Sequence, residues 1–131
     1  MKTLDIKTNA REEILDLTSK IEASVASSGV ESGLCTVFIP HTTAGITINE
    51  NADPDVREDL LTALRRTVPD GLPYRHGEGN SPAHVKASLV GSSVSVIVEG
   101  GRLRLGTWQG IQLCEFDGPR ARKVWIKIIG G

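Results

Sequence analysis

The chain has 131 residues, with 15 basic and 16 acidic side chains and a formal net charge of -1. This length fits one domain, and we expect a single domain over residues 1–131. The balanced charge argues against general attraction to nucleic acid or to membranes. No apolar run approaches the roughly 18 residues of a membrane-spanning helix, and no charged–apolar–small signal pattern opens the chain. We therefore expect a cytoplasmic protein.

The first part of the chain predicts a strand, a helix and two more strands. Alternating apolar residues predict a strand near residues 4–6. Asn9 and Glu12 have the spacing of a capping box, and apolar residues then recur at helical intervals as far as Gly29, a typical helix stop. Two apolar runs predict the next strands, at residues 34–39 and 46–49.

The second part predicts two helices and then about four strands. Asp53 followed by Pro54 is a strong helix start, because the acid caps the helix and proline suits its first position. This helix is expected to end before Pro69. A polar loop leads to a shorter helix beginning at Ser81 and ending at Gly91. The strand-like segments that follow are residues 94–98, 103–105, 107–116 and 124–129.

This order of elements predicts an α+β fold. Grouped strands and helices favour a mainly antiparallel sheet or sandwich with about three helices on one face, and not alternating βαβ units. Cys35 and Cys114 lie in apolar runs and have no CxxC partner. We therefore expect two buried free thiols.

His41, His76 and His84 are the only histidines of the chain. A lone histidine is usually a surface or structural residue, but each of these lies outside a clear apolar stripe and has polar neighbours. Three neutral imidazoles can bind a divalent metal and leave one position for water or a phosphate oxygen. They can equally donate protons to a phosphate leaving group without a metal. Their spacing matches no standard zinc motif, so both interpretations stay open.

Residues 49–55 contain three acids and two amides. The simplest interpretation of Asp53 is helix capping. The functional alternative is that Glu50 or Asp53 holds Mg²⁺, which prefers oxygen ligands, while Asn49 binds substrate. The helix starts at Asp53 and Ser81 are also potential anion sites.

Two further segments stand out in the last third of the chain. Glycines around Trp108 and Gln109 predict a bulge or a close backbone approach. Either Trp108 packs in the core there, or Gln109 points into a pocket. The basic cluster at 120–123 is either a solvated strand edge or a small anion subsite. The motifs GxxxxGK[ST], GxGxxG and GxSxG are absent, so P-loop, Rossmann and hydrolase-elbow sites are not expected.

Three blocks of the sequence resemble the YjbQ-like family, also called the secondary thiamine-phosphate synthase family. They occur in the family's order, and the resemblance spans nearly the whole chain. The blocks are HTTAGITINENADPDVREDL at 41–60, PAHVKASLVGSS at 82–93 and GRLRLGTWQGI at 101–111.

The resemblance implies a compact α+β fold, assembly as a homotrimer and a weak thiamine-phosphate synthase activity. That reaction joins a pyrimidine methyl diphosphate to a thiazole phosphate, both small phosphorylated substrates, and releases pyrophosphate. We predict His41, His76, His84, Asn49, Glu50 and Gln109 as catalytic residues. The three histidines are also the predicted ligands of a divalent metal, zinc or magnesium. Asp53 and Trp108 match family positions as well.

The chain departs from the family pattern just before Pro82. Many relatives carry paired aspartates and a methionine there, whereas this chain has GEGNS at 77–81. The departure shifts attention to Glu78. Two non-enzymatic hypotheses remain beside the synthase. One is a trimeric protein that holds a metal or a phosphorylated ligand without turnover, and the other is a purely structural oligomer.

Overall fold

The computed structural model describes all 131 residues as eight strands and three helices. In chain order the strands are β1 (Lys2–Lys7), β2 (Glu13–Asp16), β3 (Ser32–Phe38), β4 (Ala44–Glu50), β5 (Ser93–Glu99), β6 (Arg102–Leu103), β7 (Gln109–Glu115) and β8 (Ala121–Gly130). The helices are α1 (Thr18–Ser28), α2 (Pro54–Thr67) and α3 (Ser81–Val90).

The strands form two antiparallel sheets. The larger sheet has the order β1-β8-β3-β5-β6, and the smaller sheet has the order β2-β7-β4. All neighbouring strands are antiparallel. The prediction of a single, mainly antiparallel α+β fold with about three helices is confirmed.

The main core lies between the two sheets. Its 16 buried residues include Cys35 and Val37 from the larger sheet and Ile111 and Leu113 from the smaller sheet. Helix α1 also contributes to this core, through Ile21 and other apolar residues. The sequence predicted that all helices lie on one face of the sheet. This is wrong for α1, because α1 packs with the strands that enclose this core.

A second apolar cluster lies on the other face of the smaller sheet. Here α2 and α3 contribute Leu61, Ala83 and Ala87 against Cys114 of β7. Strand β7 is thus covered on both faces, and every residue from Gly110 to Glu115 is buried. A strand covered on both faces buries the side chains of both faces, so these residues, including Gln112 and Glu115, do not alternate between buried and exposed.

The predicted starts of the second and third helices are confirmed, whereas the predicted first helix is too long. Residues 13–16 form β2, because they pair with β7 instead of continuing a helix. The expected Asn9–Glu12 capping box is also wrong. The side chain of Glu13, not of Glu12, accepts hydrogen bonds from the backbone amides of Asn9 and Ala10.

Both cysteines are buried and free, as predicted. Burial raises the pKa of Cys35 to about 11 and that of Cys114 to about 12, so neither thiol is a thiolate at neutral pH. None of the three helices combines the length and the apolar character needed to cross a membrane.

The larger sheet leaves apolar side chains exposed on its outer face. Leu34 of β3 is the cross-strand partner of Ile97 and of Ile129, and all three are more than half exposed. At the other end of the same face, the rings of Phe38 and Trp125 stack with their centroids 5.9 Å apart. Adjacent exposed apolar residues of this kind are typical of a contact surface.

Two leucines test where the core lies. Leu113 is fully buried between the sheets, whereas Leu72 is 52% exposed in a loop. We expect Leu113→Ala to lower the free energy of unfolding by about 2–5 kcal/mol, since it leaves a cavity. Leu72→Ala should change it by less than about 0.5 kcal/mol. Urea unfolding monitored by circular dichroism measures both, and equal losses would contradict the assignment of the core.

Candidate functional site

The predicted site residues lie at two opposite ends of the β4–β7 pair. Ala44 pairs with Glu115 at one end, and Glu50 pairs with Gln109 at the other. Strand β4 has seven residues. At roughly 3.4 Å per residue, its ends are about 20 Å apart. We call the end at Glu115 the imidazole end and the end at Gln109 the amide end.

His41 is held at the imidazole end by the backbone of β8. Its Nε2 atom accepts a hydrogen bond of 2.8 Å from the amide of Lys123. Burial lowers the pKa of His41, and the nearby positive charge of Arg122 lowers it further, while Glu115 opposes this. His41 therefore favours its neutral form at neutral pH.

A buried ion pair lies next to His41. The side chains of Arg122 and Glu115 are 2% and 0% exposed, and they are joined by two hydrogen bonds. Arg122 Nη2 also donates to Thr43 Oγ1 at 2.8 Å, and Thr8 donates to Glu115 at 2.8 Å. Burial alone would raise the pKa of Glu115, but these hydrogen bonds lower it below its ordinary value.

The basic cluster is therefore not one solvated strand edge. Arg122 is buried, so that interpretation is wrong for this residue. Arg120 and Lys123 are exposed, but each pairs with a carboxylate. Arg120 lies 3.0 Å from Asp117, and Lys123 lies 2.7 Å from Asp5.

His76 and His84 contact each other. Their ring centroids are 5.3 Å apart, and the rings are nearly perpendicular at 85°. The Nε2 atom of His76 is also 3.8 Å from Glu78 Oε2, and the side chain of His76 is 44% exposed. The two rings thus form an accessible pair in which one imidazole has a carboxylate nearby.

This pair lies at the N-terminal end of α3, which has no side-chain cap. Instead of capping the helix, Asn80 donates a hydrogen bond of 2.9 Å to Asp117, two residues beyond β7. That contact brings the start of α3 to the imidazole end. The helix dipole favours negative charge at such a terminus.

The structure thus brings two of the three histidines into ring contact, whereas His41, in the loop before β4, is held separately by a hydrogen bond from the backbone of β8. No group of three or more His, Cys, Asp or Glu side chains in the chain is arranged to hold a metal ion. The metal site at the three histidines stays a prediction, and a single chain does not form it.

The predicted residues of the amide end mostly serve local turns. Asn49 accepts a hydrogen bond of 2.7 Å from the amide of Glu50, and Glu50 accepts one of 2.8 Å from Ala52. The side chain of Gln109 accepts one of 2.8 Å from Gly106. These groups shape the backbone, so an added ligand would compete with the turns that they form.

Two other expectations at this end have clear outcomes. The capping interpretation of Asp53 is confirmed, because its Oδ1 accepts a hydrogen bond of 2.9 Å from the amide of Asp55. The core interpretation of Trp108 is wrong, because this side chain is 64% exposed. An exposed tryptophan beside Gln109 leaves an aromatic surface at the amide end.

The sequence did not reveal a polar cluster beside the amide end. Asn51 donates to Asp16 at 2.9 Å and accepts from Arg57 at 2.8 Å, and buried Gln112 donates to the carbonyl of Glu50 at 2.9 Å. Gly110 was the sequence signal for this cluster. In the structure, a Cβ atom at this position would lie 2.4 Å from the side chain of Asn51. The predicted close backbone approach is confirmed at this glycine.

A second ion pair that the sequence did not reveal supports α3. The buried Lys86 lies 2.8 Å from Glu12, which also pairs with Arg65 of α2 at 2.9 Å. The sequence signal for this ion pair was a lysine on the face of α3 whose other residues, Ala83 and Ala87, are apolar. Glu12 joins both helices to the segment before β2.

A family model described as UPF0047 protein YjbQ-like matches residues 2–131. The chain is 55% identical to the UPF0047 protein YugU of Bacillus subtilis, covering 99% of both chains. It is 52% identical to a UPF0047 protein of Methanocaldococcus jannaschii, covering 95% of this chain and 91% of that one.

Two solved structures resemble this fold over nearly their whole length. A YjbQ/UPF0047-family protein of Clostridium acetobutylicum is 54% identical and superposes with a TM-score of 0.97, covering 98% of this chain and 100% of that chain. A YbjQ-like protein of unknown function from Sulfolobus solfataricus is 33% identical with a TM-score of 0.95, covering 99% and 96%.

The lowered pKa of His41 predicts a pH-dependent stability. The ordinary pKa is 6.5, and the folded value lies below it. As pH falls below 6.5, the unfolded chain therefore binds the proton first, and folding loses stability until the folded pKa is reached. We expect the urea-unfolding free energy to decline in this window for the wild type.

The matched variant is His41→Gln, which keeps an acceptor for the amide of Lys123 but does not titrate. It should lose this part of the decline. The loss of stability caused by protonation of Glu115 occurs below its ordinary pKa of 4.5 and is therefore separate from the loss caused by His41. Identical profiles for the two proteins between pH 4.5 and pH 6.5 would contradict the shift.

Proposed function

Because this chain belongs to the YjbQ-like UPF0047 family, we propose that it is a weak thiamine-phosphate synthase that works as a homotrimer. In the proposed reaction, the thiazole nitrogen attacks the methylene carbon of the pyrimidine methyl diphosphate. The new C–N bond forms as the C–O bond to pyrophosphate breaks. The leaving group takes the bonding electrons, so negative charge grows on its oxygens.

The observation that best supports this proposal is the set of hydrogen-bond donors at the imidazole end. The His76–His84 pair lies at the uncapped start of α3. Arg120 and Asn80 both bind the same oxygen of Asp117, so a guanidinium lies close to the start of that helix. Helix termini and preorganised donors of this kind stabilise a developing anion.

The chemistry requires little else from the protein. The thiazole nitrogen is already a nucleophile, so no activated serine or cysteine is needed, and both cysteines are buried with raised pKa values. Imidazole N–H groups can donate protons or hydrogen bonds to the leaving group. Catalysis by positioning and charge alone is consistent with a slow enzyme.

We place the complete site between subunits. In one chain, the imidazole end and the amide end are separated by the length of β4. A cyclic trimer joins different surfaces of neighbouring copies, so it can bring the imidazole end of one subunit to the amide end of the next. The exposed apolar face around Leu34, Ile97 and Ile129 offers further contact area.

A synthase assay on the pure protein tests the activity. We expect the wild type to form thiamine phosphate, and we expect His76→Gln/His84→Gln to lose about 100-fold or more in kcat, the usual size of acid–base assistance. Arg66→Gln is the matched control, because Arg66 is an exposed residue of α2 whose side chain makes no hydrogen bond or ion pair. Full activity of the double histidine variant would exclude the imidazole pair as the site.

The same wild-type protein distinguishes the synthase hypothesis from the binding hypothesis. If the wild type forms no product but pyrophosphate raises its Tm, the chain binds a phosphorylated ligand without turnover. Metal analysis of protein purified without a histidine tag tests the predicted zinc or magnesium. If the double histidine variant instead dissociates the oligomer, these residues have a structural role.

Mixed oligomers test the shared site. His84→Gln alters the imidazole end and Gln109→Ala alters the amide end, so each variant alone should be nearly inactive. In randomly mixed cyclic trimers, about one interface in four joins two intact halves, and activity should recover to about a quarter of the wild-type rate. No recovery, in mixtures that native mass spectrometry shows to be mixed trimers, would place the site within one chain.

A further inference from the structure

We propose that Arg122 is a positioning residue that fixes His41 with its proton on Nδ1, so that this nitrogen donates a hydrogen bond to an anionic oxygen of the ligand. The identity of that ligand as a phosphate rests on the proposed function. The orientation of the ring and the place of its proton do not, because they follow from contacts within the chain.

The first step concerns the two nitrogens of His41. Nε2 accepts a hydrogen bond from the backbone N–H of Lys123, at 2.8 Å, so it carries no proton. A neutral imidazole has one N–H group, which must then be on Nδ1. Nδ1 has no hydrogen-bond partner within the chain, and His41 is only half-buried, so this donor is free for a ligand.

The second step is how Arg122 fixes both partners of this hydrogen bond. Arg122 directly precedes Lys123 in β8, and its guanidinium is held by buried Glu115. The same guanidinium donates to the hydroxyl of Thr43 at 2.8 Å and to its carbonyl at 3.2 Å. Thr43 is two residues from His41, so one buried side chain fixes the strand that donates and the loop that accepts.

The third step concerns the charges around the ring. Partial burial of the ring disfavours its charged form, Arg122, Arg120 and Lys123 act in the same direction, and Glu115 acts against them. Glu115 is already paired with Arg122. The surroundings therefore disfavour a second proton on His41, which agrees with its lowered pKa. A neutral ring keeps Nε2 as an acceptor.

This arrangement limits what His41 does in the site. Nε2 is occupied by the backbone, so a metal would have to bind Nδ1 and displace its proton. As a hydrogen-bond donor, in contrast, His41 needs no rearrangement. We therefore assign His41 the role of a donor to an anionic oxygen, distinct from that of the His76–His84 pair.

Nitrogen-15 NMR of the imidazoles tests the inference without any turnover. The chain has three histidines, so single substitution of His76 and of His84 assigns their signals and leaves that of His41. We expect His41 in the wild type to show a protonated Nδ1 and an unprotonated Nε2 at pH 7. Adding inorganic pyrophosphate should shift the Nδ1–H signal of His41.

Three variants separate positioning from stability. Thr43→Val removes the hydroxyl and should turn His41 into a mixture of both tautomers, whereas Thr43→Ser keeps the hydroxyl and should preserve the single tautomer. Arg122→Lys keeps the charge but loses the fork that reaches Glu115 and Thr43 together, so it too should give a mixture. Lys86→Met is the matched control, because it breaks the buried Lys86–Glu12 pair and lowers Tm without altering His41.

The possible results lead to distinct conclusions. A protonated Nε2 in the wild type, or an unchanged single tautomer in both Thr43→Val and Arg122→Lys, would overturn the role of Arg122. An Nδ1–H signal that does not respond to pyrophosphate would overturn the role of His41 as an anion donor. A correct tautomer in a protein without synthase activity would refute the proposed function and leave this inference standing.

Discussion

The buried ion pair between Glu115 and Arg122 is the contact on which the imidazole end depends. Glu115 is the last residue of β7 in the smaller sheet and Arg122 is the second residue of β8 in the larger sheet, so the pair joins the two sheets. Removing one partner of such a pair costs roughly 3–5 kcal/mol, because the other charge stays buried. Thr43 and Thr8 complete its hydrogen bonds, so the loop carrying His41 is bound to both sheets.

The central position of β7 explains why the candidate residues are divided. This strand is covered by the larger sheet on one face and by α2 and α3 on the other, so its middle is buried, and the one polar side chain there, Gln112, donates to the carbonyl of Glu50. The candidate site residues lie beyond this buried middle, near Gln109 at one end of the strand and near Glu115 at the other. A core that is continuous along β7 therefore places polar chemistry at both ends of one strand and keeps the two sets apart.

Local sequence patterns, which span a few residues, predicted much of the fold. The parts that were predicted wrongly depend on contacts between residues far apart in the sequence. The start of α2 was predictable from Asp53 and Pro54 alone, because aspartate caps a helix and proline suits its first position. The structure shows the Asp53 side chain in this capping role. Residues 13–16 look helical because Ile14 and Leu17 fit a helical period, but pairing with β7 decides their conformation. Arg122 resembles a surface arginine in the sequence, since its partner Glu115 is recognisable only after the turn between β7 and β8 forms. The candidate residues were chosen from the sequence by residue type, whereas their separation along β4 depends on the fold.

The contrast between the two ends suggests how they divide the work. At the imidazole end, His41 keeps a free Nδ1 donor, and His76 and His84 are accessible beside an uncapped helix start. At the amide end, Asn49, Glu50 and Gln109 already serve the backbone, while Trp108 is exposed. The first end suits negative charge, and the second offers a rigid aromatic surface on which a flat ring can stack. In the proposed reaction, the pyrimidine that carries a diphosphate has both features, so the proposed interface between the two ends would bind its two parts with different subunits.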